Sequence, residues 1–373
     1  MPSLATFNAN NFFLRYKFTQ GYPGASPKAV QEELAKVASQ GFLPAPVFGK
    51  FSLNHFIVWD SSRRELAAEA LRRPDNRLPD ILCLQEVENV QAMRTFNQNY
   101  LGGHYRYSLL IDGYDPRNID VGLLSVFPIR EIRSHIEDVE DDGRRLFECR
   151  DCLEANIQLP QGEVLSLLVN HLKSKFVEKE KNDTEETYRK KVRESHEKRR
   201  AQAKKVLEFV RKRFAGRQDE ALYAVVGDFN DTPESPYLHD LMASRLLTNV
   251  IRKCRPAHDY WTYYWRSKNR VSQIDYVMVS KALLKRIEAV VTADPAKKPH
   301  IERAGLAFSK LNAKKEILPK QVTLVHFEED EATPPSSSAT PPAKLDFQFA
   351  RFEKVLENWK NNVSDHCPVK VWF

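Results

Sequence analysis

Val225-Val226-Gly227-Asp228-Phe229-Asn230-Asp231-Thr232-Pro233 is an apolar run that ends abruptly in Gly-Asp-Phe-Asn. It places a carboxylate and a carboxamide at the mouth of a buried strand. Residues two apart on a strand point to the same side, so Asp228 and Asn230 can face one ligand. Alone, the segment could equally be a strand-end turn, because Gly, Asp, Asn and Pro are also what loops use.

Five other segments share the form. Thr6-Phe7-Asn8-Ala9-Asn10-Asn11 follows a short apolar start, and Asp80-Ile81-Leu82-Cys83-Leu84-Gln85-Glu86 is a strand closed by a carboxylate. Leu167-Leu168-Val169-Asn170-His171 ends in histidine. Gln273-Ile274-Asp275-Tyr276-Val277-Met278-Val279 carries an aspartate within an apolar strand, and Ser364-Asp365-His366-Cys367-Pro368-Val369 comes last. Each sets Asn, Glu, His or Asp where a strand meets a loop, which is where sites are usually built.

Carboxylate and carboxamide oxygens without thiolates suit a hard octahedral cation, Mg²⁺ or Mn²⁺. Glu86 is the best candidate for a direct ligand, with Asn8, Asn10 and Asp365 completing the shell directly or through water. Hydrolysis at such a metal also needs an activated nucleophile. His366 with Asp275 fits a general-base pair, the carboxylate orienting the imidazole and stabilising its charged form. Asn170-His171-Leu172-Lys173-Ser174-Lys175 adds two lysines and a hydroxyl suited to phosphate contact. Arg117 could clamp a phosphate or form a surface ion pair with Asp115 or Asp120.

The ordered set Asn8, Glu86, His171, Asp228/Asn230, Asp275 and Asp365/His366 resembles the endonuclease/exonuclease/phosphatase superfamily. Deoxyribonuclease I, abasic-site endonucleases, inositol polyphosphate phosphatases and neutral sphingomyelinases belong to it. The resemblance implies an α/β four-layered sandwich: two mixed β-sheets packed face to face and flanked by helices, with the site at one edge. It also implies that Glu86 is the metal carboxylate and Asn8 its amide neighbour. His366 and Asp275 take the base role, Asp228 and Asn230 place the water or the phosphate, and His171 donates to a non-bridging oxygen. Asn10 stands where some relatives carry aspartate. Arg117-Asn118-Ile119-Asp120-Val121 resembles the Arg-Gly-Ile-Asp-Val segment of bacterial nuclease-like members, with Asn118 in the glycine position.

The chain of 373 residues reads as one domain over 1–373, and an apolar fraction of 42% is enough for a large core. No window is apolar for long enough to cross a bilayer. No charged-then-apolar leader precedes the first strand, so a cytoplasmic protein that does not engage membranes is expected. Five cysteines, with one Cys-x-x-Cys pair at Cys149 and Cys152 and no second pair, read as reduced thiols.

A capping-box pattern at Ser62 and Glu65 predicts a helix from Arg63 to Arg73, stopped by Pro74. Apolar residues at Ala203, Val206, Leu207, Val210 and Phe214 predict a long helix over 187–214. Glu154–Leu159 and Val164–Asn170 read as a hairpin. Residues 287–350 are the main elaboration, with 89 residues between Asp275 and Asp365 and a Pro/Ser-rich stretch at 333–342. That segment reads either as a substrate-side or partner-side addition or as a surface excursion.

The net charge of +7 is concentrated: residues 173–217 hold 17 Lys/Arg against 8 Asp/Glu. Such a segment, starting beside His171, favours a polyanionic partner over a merely solvated helix. Inositol polyphosphate phosphatases carry Gly-Asp-Leu-Asn followed by Tyr-Arg, which this chain lacks. Its motifs look most like bacterial deoxyribonuclease-like enzymes. The expected activity is Mg²⁺-dependent hydrolysis of nucleic acid, DNA before RNA. The alternative is a phosphatase or phosphodiesterase for inositol, lipid or other small phosphate esters.

Overall fold

The computed structural model describes residues 1–12, 16–18, 56–58, 61–304, 320–326, 343–347 and 363–373. Two six-stranded mixed sheets form its centre. The first runs, in spatial order, through His300–Ile301, Val369–Trp372, Ser3–Phe12, Ile81–Val87, Asp120–Ser125 and Tyr107–Leu110. The second runs through Thr248–Asn249, Asp275–Val279, Leu222–Asp228, Val164–His171, Leu153–Gln158 and Ile129–Arg133.

Strand alternation explains the layering. Leu4, Ile81, Cys83, Val121 and Leu123 of the first sheet share one core with Leu165, Leu167, Val169, Ala224, Val226 and Val277 of the second. The intervening residues face outward, yet they too are buried. Phe7, Leu82 and Leu84 pack on Leu66, Leu71, Met93 and Phe96, which come from helices Ser61–Arg72 and Val90–Tyr100. Leu168, Tyr223, Val225 and Tyr276 pack on Ala203, Val206, Leu207 and Val210 of helix Glu185–Arg213. Strands covered on both faces read as continuous apolar runs, which is why these were visible as strands. The result is the expected α/β four-layered sandwich.

Gly227 is dictated by one close approach. It stands opposite Asn170 in the parallel pairing of the two central strands, with φ +128°, and a Cβ there would lie 1.9 Å from the Asn170 carbonyl oxygen. Only glycine permits both the backbone angle and the approach.

The described parts of 287–350 include regular structure. His300–Ile301 extends the first sheet, while Lys320–Leu324 and Ala343–Phe347 join Tyr263–Trp265 and Arg270–Ser272 in a separate four-stranded sheet. The Pro/Ser-rich stretch lies outside the described residues, as does most of 17–58. The five cysteines are free thiols. Among the described residues no helix is long and apolar enough to cross a membrane.

Candidate active site

Strands from both sheets end at one edge of the sandwich, and their terminal polar residues meet there. Asn8 is buried, and its amide donates to Asp228 Oδ2 at 2.9 Å. Asp228 Oδ1 accepts the Asn230 backbone N–H at 2.7 Å. The side-chain amide of Asn230 donates to the Leu172 carbonyl at 2.9 Å, which ties the Gly-Asp-Phe-Asn turn to the strand end that carries His171. Burial pushes the Asp228 carboxyl up to about 7, with His366 pulling against the shift and Asp275 adding to it.

His366 Nδ1 lies 3.1 Å from each carboxylate oxygen of Asp275. Its Nε2 points toward Asp228 Oδ2 at 3.8 Å. Burial opposes the charged imidazole, but the carboxylates of Asp275 and Asp228 outweigh it and raise His366 well above its ordinary value. The backbone holding the pair is fixed as well. Thr262 Oγ1 accepts the Asp275 N–H at 3.0 Å, and Ser364 Oγ accepts the His366 N–H at 3.0 Å while donating to the Asn8 carbonyl.

Glu86 and its surroundings bring a carboxylate and several amides to the other side of the site. Glu86 has φ +60°, Asn10 +51° and Asn11 +57°, left-handed values that are rare for a glutamate. The bent strand ends turn their side chains into the site. Asn11 N–H donates to Glu86 Oε2 at 2.8 Å and the Asn10 amide donates to Asp365 Oδ1 at 2.8 Å. Among the described residues Glu86 Oε1 takes no hydrogen bond; its nearest cationic-capable neighbour is His171 Nε2 at 3.9 Å. An all-oxygen set with an unengaged carboxylate oxygen fits a hard divalent ion. A second grouping, Asp228, Asp275 and His366, has candidate ligand atoms within 4.8 Å of one another, and within it His366 Nδ1 is already hydrogen-bonded to Asp275.

His171 is buried at the junction. Its Nε2 lies 3.0 Å from Arg150 Nη1 and 3.5 Å from Asp228 Oδ2, while its Nδ1 has no partner. Burial, then Arg150, hold its pKa well below the ordinary value, so the ring is neutral. A donated bond from Arg150 makes Nε2 the acceptor and leaves the hydrogen on Nδ1.

Arg150 was not among the expected site residues. It belongs to Cys149-Arg150-Asp151-Cys152, just before strand Leu153–Gln158, and its Nε pairs with Asp115 Oδ2 at 3.0 Å. A charged pair at the start of a buried strand was the available signal. Asp115 also pairs with Arg117 at 3.6 Å, leaving that side chain half exposed. Asn118 has φ +54°, the conformation for which asparagine can replace glycine.

The two lysines after His171 diverge. Lys173 is half-buried, and burial followed by Arg150 and Lys198 lowers its pKa. Lys175 instead lies 2.5 Å from the buried Asp231, which also binds Arg199 at 2.8 Å; its charge is engaged within the fold. The basic helix behaves likewise. Lys198 pairs with Glu148, Lys205 with Glu140 and Glu208, Lys212 with Glu208, and Arg213 with Glu131. Part of the local excess of positive charge is therefore ion-paired within the fold.

A family model described as "Endonuclease/Exonuclease/phosphatase family" matches residues 5–366. No curated protein matches in sequence. Among solved structures, the chain is similar to a humanized D. rerio TDP2 at 11% identity and TM-score 0.47, covering 99% of this chain and 97% of that one. It is similar to a mutant Staphylococcus aureus beta toxin with bound magnesium ions at 13% identity and TM-score 0.47, covering 99% and 98%. The human Nocturnin catalytic domain with bound sulfate is similar at 14% identity and TM-score 0.42, covering 75% and 83%.

Proposed function

Because the chain belongs to the Endonuclease/Exonuclease/phosphatase family, whose members are metal-dependent phosphoester hydrolases, we propose that it hydrolyses phosphodiesters of nucleic acid, DNA in preference to RNA. The observation that carries this reading is the buried His366–Asp275 pair set against Asp228, with Asn8 bonded to Asp228 and Asn10 bonded to Asp365 at the same sheet edge. Water held by Asp228 and Asn230 attacks phosphorus; the neutral form of His366 takes its proton at Nε2 while Asp275 balances the charge gained. The ester P–O bond breaks as the leaving oxygen takes up a proton from the resulting imidazolium or from solvent. Asn8 holds Asp228 in place throughout.

Glu86 and Asp365, with Asn8 beside them, would hold the divalent cation, Mg²⁺ or Mn²⁺, which when bound polarises a phosphoryl oxygen and offsets its growing charge. Arg150, Lys173 and Arg117 line the phosphate side and supply positive charge where negative charge builds. A chain carrying +7 overall attracts polyanions, a class that includes nucleic acid. The ion pairing along helix Glu185–Arg213 supports the second reading, a small or lipid phosphate ester, since it removes much of the charge that a long duplex would use.

One assay separates the two. Purified protein with Mg²⁺ or Mn²⁺ is offered plasmid, linear DNA, RNA and an inositol phosphate. Cleavage of DNA at the highest kcat/KM is expected; preference for the inositol phosphate over every nucleic acid would overturn the assignment.

A further inference from the structure

The four-stranded sheet beside the sandwich has two unlike faces. Tyr264, Val271, Val322 and Leu324 are buried in the main core. On the other face Tyr263, Trp265 and Thr323 are half-buried, and Arg270 and Lys344 are exposed. Pairing puts these side by side: Trp265 stands opposite Arg270, Arg270 beside Thr323, and Thr323 opposite Lys344. Asp346 stands on the same face one pair further along, opposite Gln321.

The wet face begins at the catalytic base. Tyr263 is bridged in antiparallel register to His366, so both side chains leave the same face, and their rings are 4.9 Å apart. Backbone bonds from Tyr264 N–H to the Asp365 carbonyl and from Cys367 N–H to the Thr262 carbonyl, at 2.9 and 2.7 Å, fix that register. Two residues further on, Trp265 continues the face away from the imidazole, with the Lys268 ammonium 3.8 Å from its ring centroid. Imidazole, phenol and indole thus follow one another at strand spacing, bordered by cations.

Aromatic faces beside positive charge bind unpaired bases by stacking, whereas a closed duplex keeps its bases turned inward. We propose that this face is a platform for the single-stranded flank of the substrate. The base next to the scissile phosphate stacks on Tyr263, a further base stacks on Trp265, and Lys268, Arg270 and Lys344 follow the backbone. The proposal rests on the nucleic-acid reading above and adds a preference for single-stranded, frayed or overhanging ends. It also gives the elaboration at 287–350 a role, since two of the four strands come from it.

The test uses the whole chain and a dye-labelled single-stranded oligonucleotide, with EDTA present so that binding is read without turnover. Trp265→Ala and Tyr263→Ala should each weaken binding roughly tenfold or more, while Trp265→Tyr restores most of it. The slope of log affinity against log salt should stay the same, because stacking releases no counter-ions. With metal restored, KM for the single strand should rise more than kcat falls. Unchanged affinity in both alanine variants, or an equal loss on a blunt duplex, overturns the platform while leaving the nuclease reading intact. Wild-type protein that neither binds nor cleaves any nucleic acid overturns both. Thermal melts of each variant keep a folding defect from passing as a binding one.

Discussion

His366 Nδ1 sits 3.1 Å from both oxygens of the Asp275 carboxylate, and both residues are buried. That bidentate arrangement fixes the ring and directs Nε2 toward Asp228. His366→Ala and Asp275→Asn should each lower kcat by several orders of magnitude with KM little changed, as expected for interactions made in the transition state. The double variant should be barely worse than either single one. Multiplicative losses would show that the two residues do not act as a unit.

Glu86 supplies the second testable link, because its carboxylate faces the site from a left-handed backbone position. Glu86→Gln should abolish most activity and EDTA should silence the wild type. Binding equilibria give a readout that needs no turnover: millimolar Mg²⁺ or Mn²⁺ should raise the melting temperature of wild type and not of Glu86→Gln. An identical shift in both proteins would move the cation elsewhere.

Asp231 is wholly buried between Arg199 and Lys175. Removing one partner leaves an uncompensated charge in the core, at a cost of roughly 3–5 kcal/mol. Arg199→Ala should therefore lower the urea midpoint sharply, and Lys175→Ala should do so to a smaller degree, as a quarter of that side chain is exposed. If Lys175→Ala instead raised KM with no loss of stability, Lys175 would be a phosphate ligand after all.

These residues differ in how far they could be read from the chain. Asn8, Glu86, His171, Asp228 and Asp275 were legible because each closes, opens or interrupts a buried strand, so the polar residue breaks an otherwise apolar run, and His366 stands just before the last strand, Val369–Trp372. Arg150 was hidden, since its reach to His171 depends on how the loop before Leu153 folds back. The pairing of the helix charges was hidden for a related reason. Net charge can be counted along a sequence, but Lys198 and Lys205 find Glu148 and Glu140 across 50 and 65 residues. Strands 320–324 and 343–347 were likewise invisible, because the pattern that marks them is pairing with distant Arg270 and with each other.

A pH effect on stability follows from His135, away from the site. Its Nδ1 meets Asp138 at 2.5 Å and its Nε2 meets Glu154 at 3.0 Å, with Phe209 of the long helix stacked on the ring and Asp151 accepting its backbone N–H. Arg213 lies 3.8 Å from Glu154 on the far side. Burial disfavours the charged ring, but Glu154 and Asp138 outweigh it and raise the pKa above 6.5. A raised value in the folded state means that the contribution is fully present below the unfolded value and fades as pH climbs through the folded one. The gap in urea midpoint between wild type and His135→Gln should thus be wider at pH 6 than at pH 9. Equal gaps at both would show that the ring acts by packing alone.

Salt dependence can assign the charges that meet the substrate. Lys205 and Lys212 are held by Glu140 and Glu208, whereas Lys173 stands beside Arg150 with no carboxylate bonded to it among the described residues. A lysine that neutralises one phosphate of duplex DNA contributes about 0.9 to the slope of log affinity against log salt. Lys173→Ala should flatten the slope by about that amount. The double change Lys205→Ala, Lys212→Ala should leave the slope as it was, its effect appearing as a modest loss of stability. The opposite pattern would return the long basic helix to the substrate surface and take Lys173 out of it.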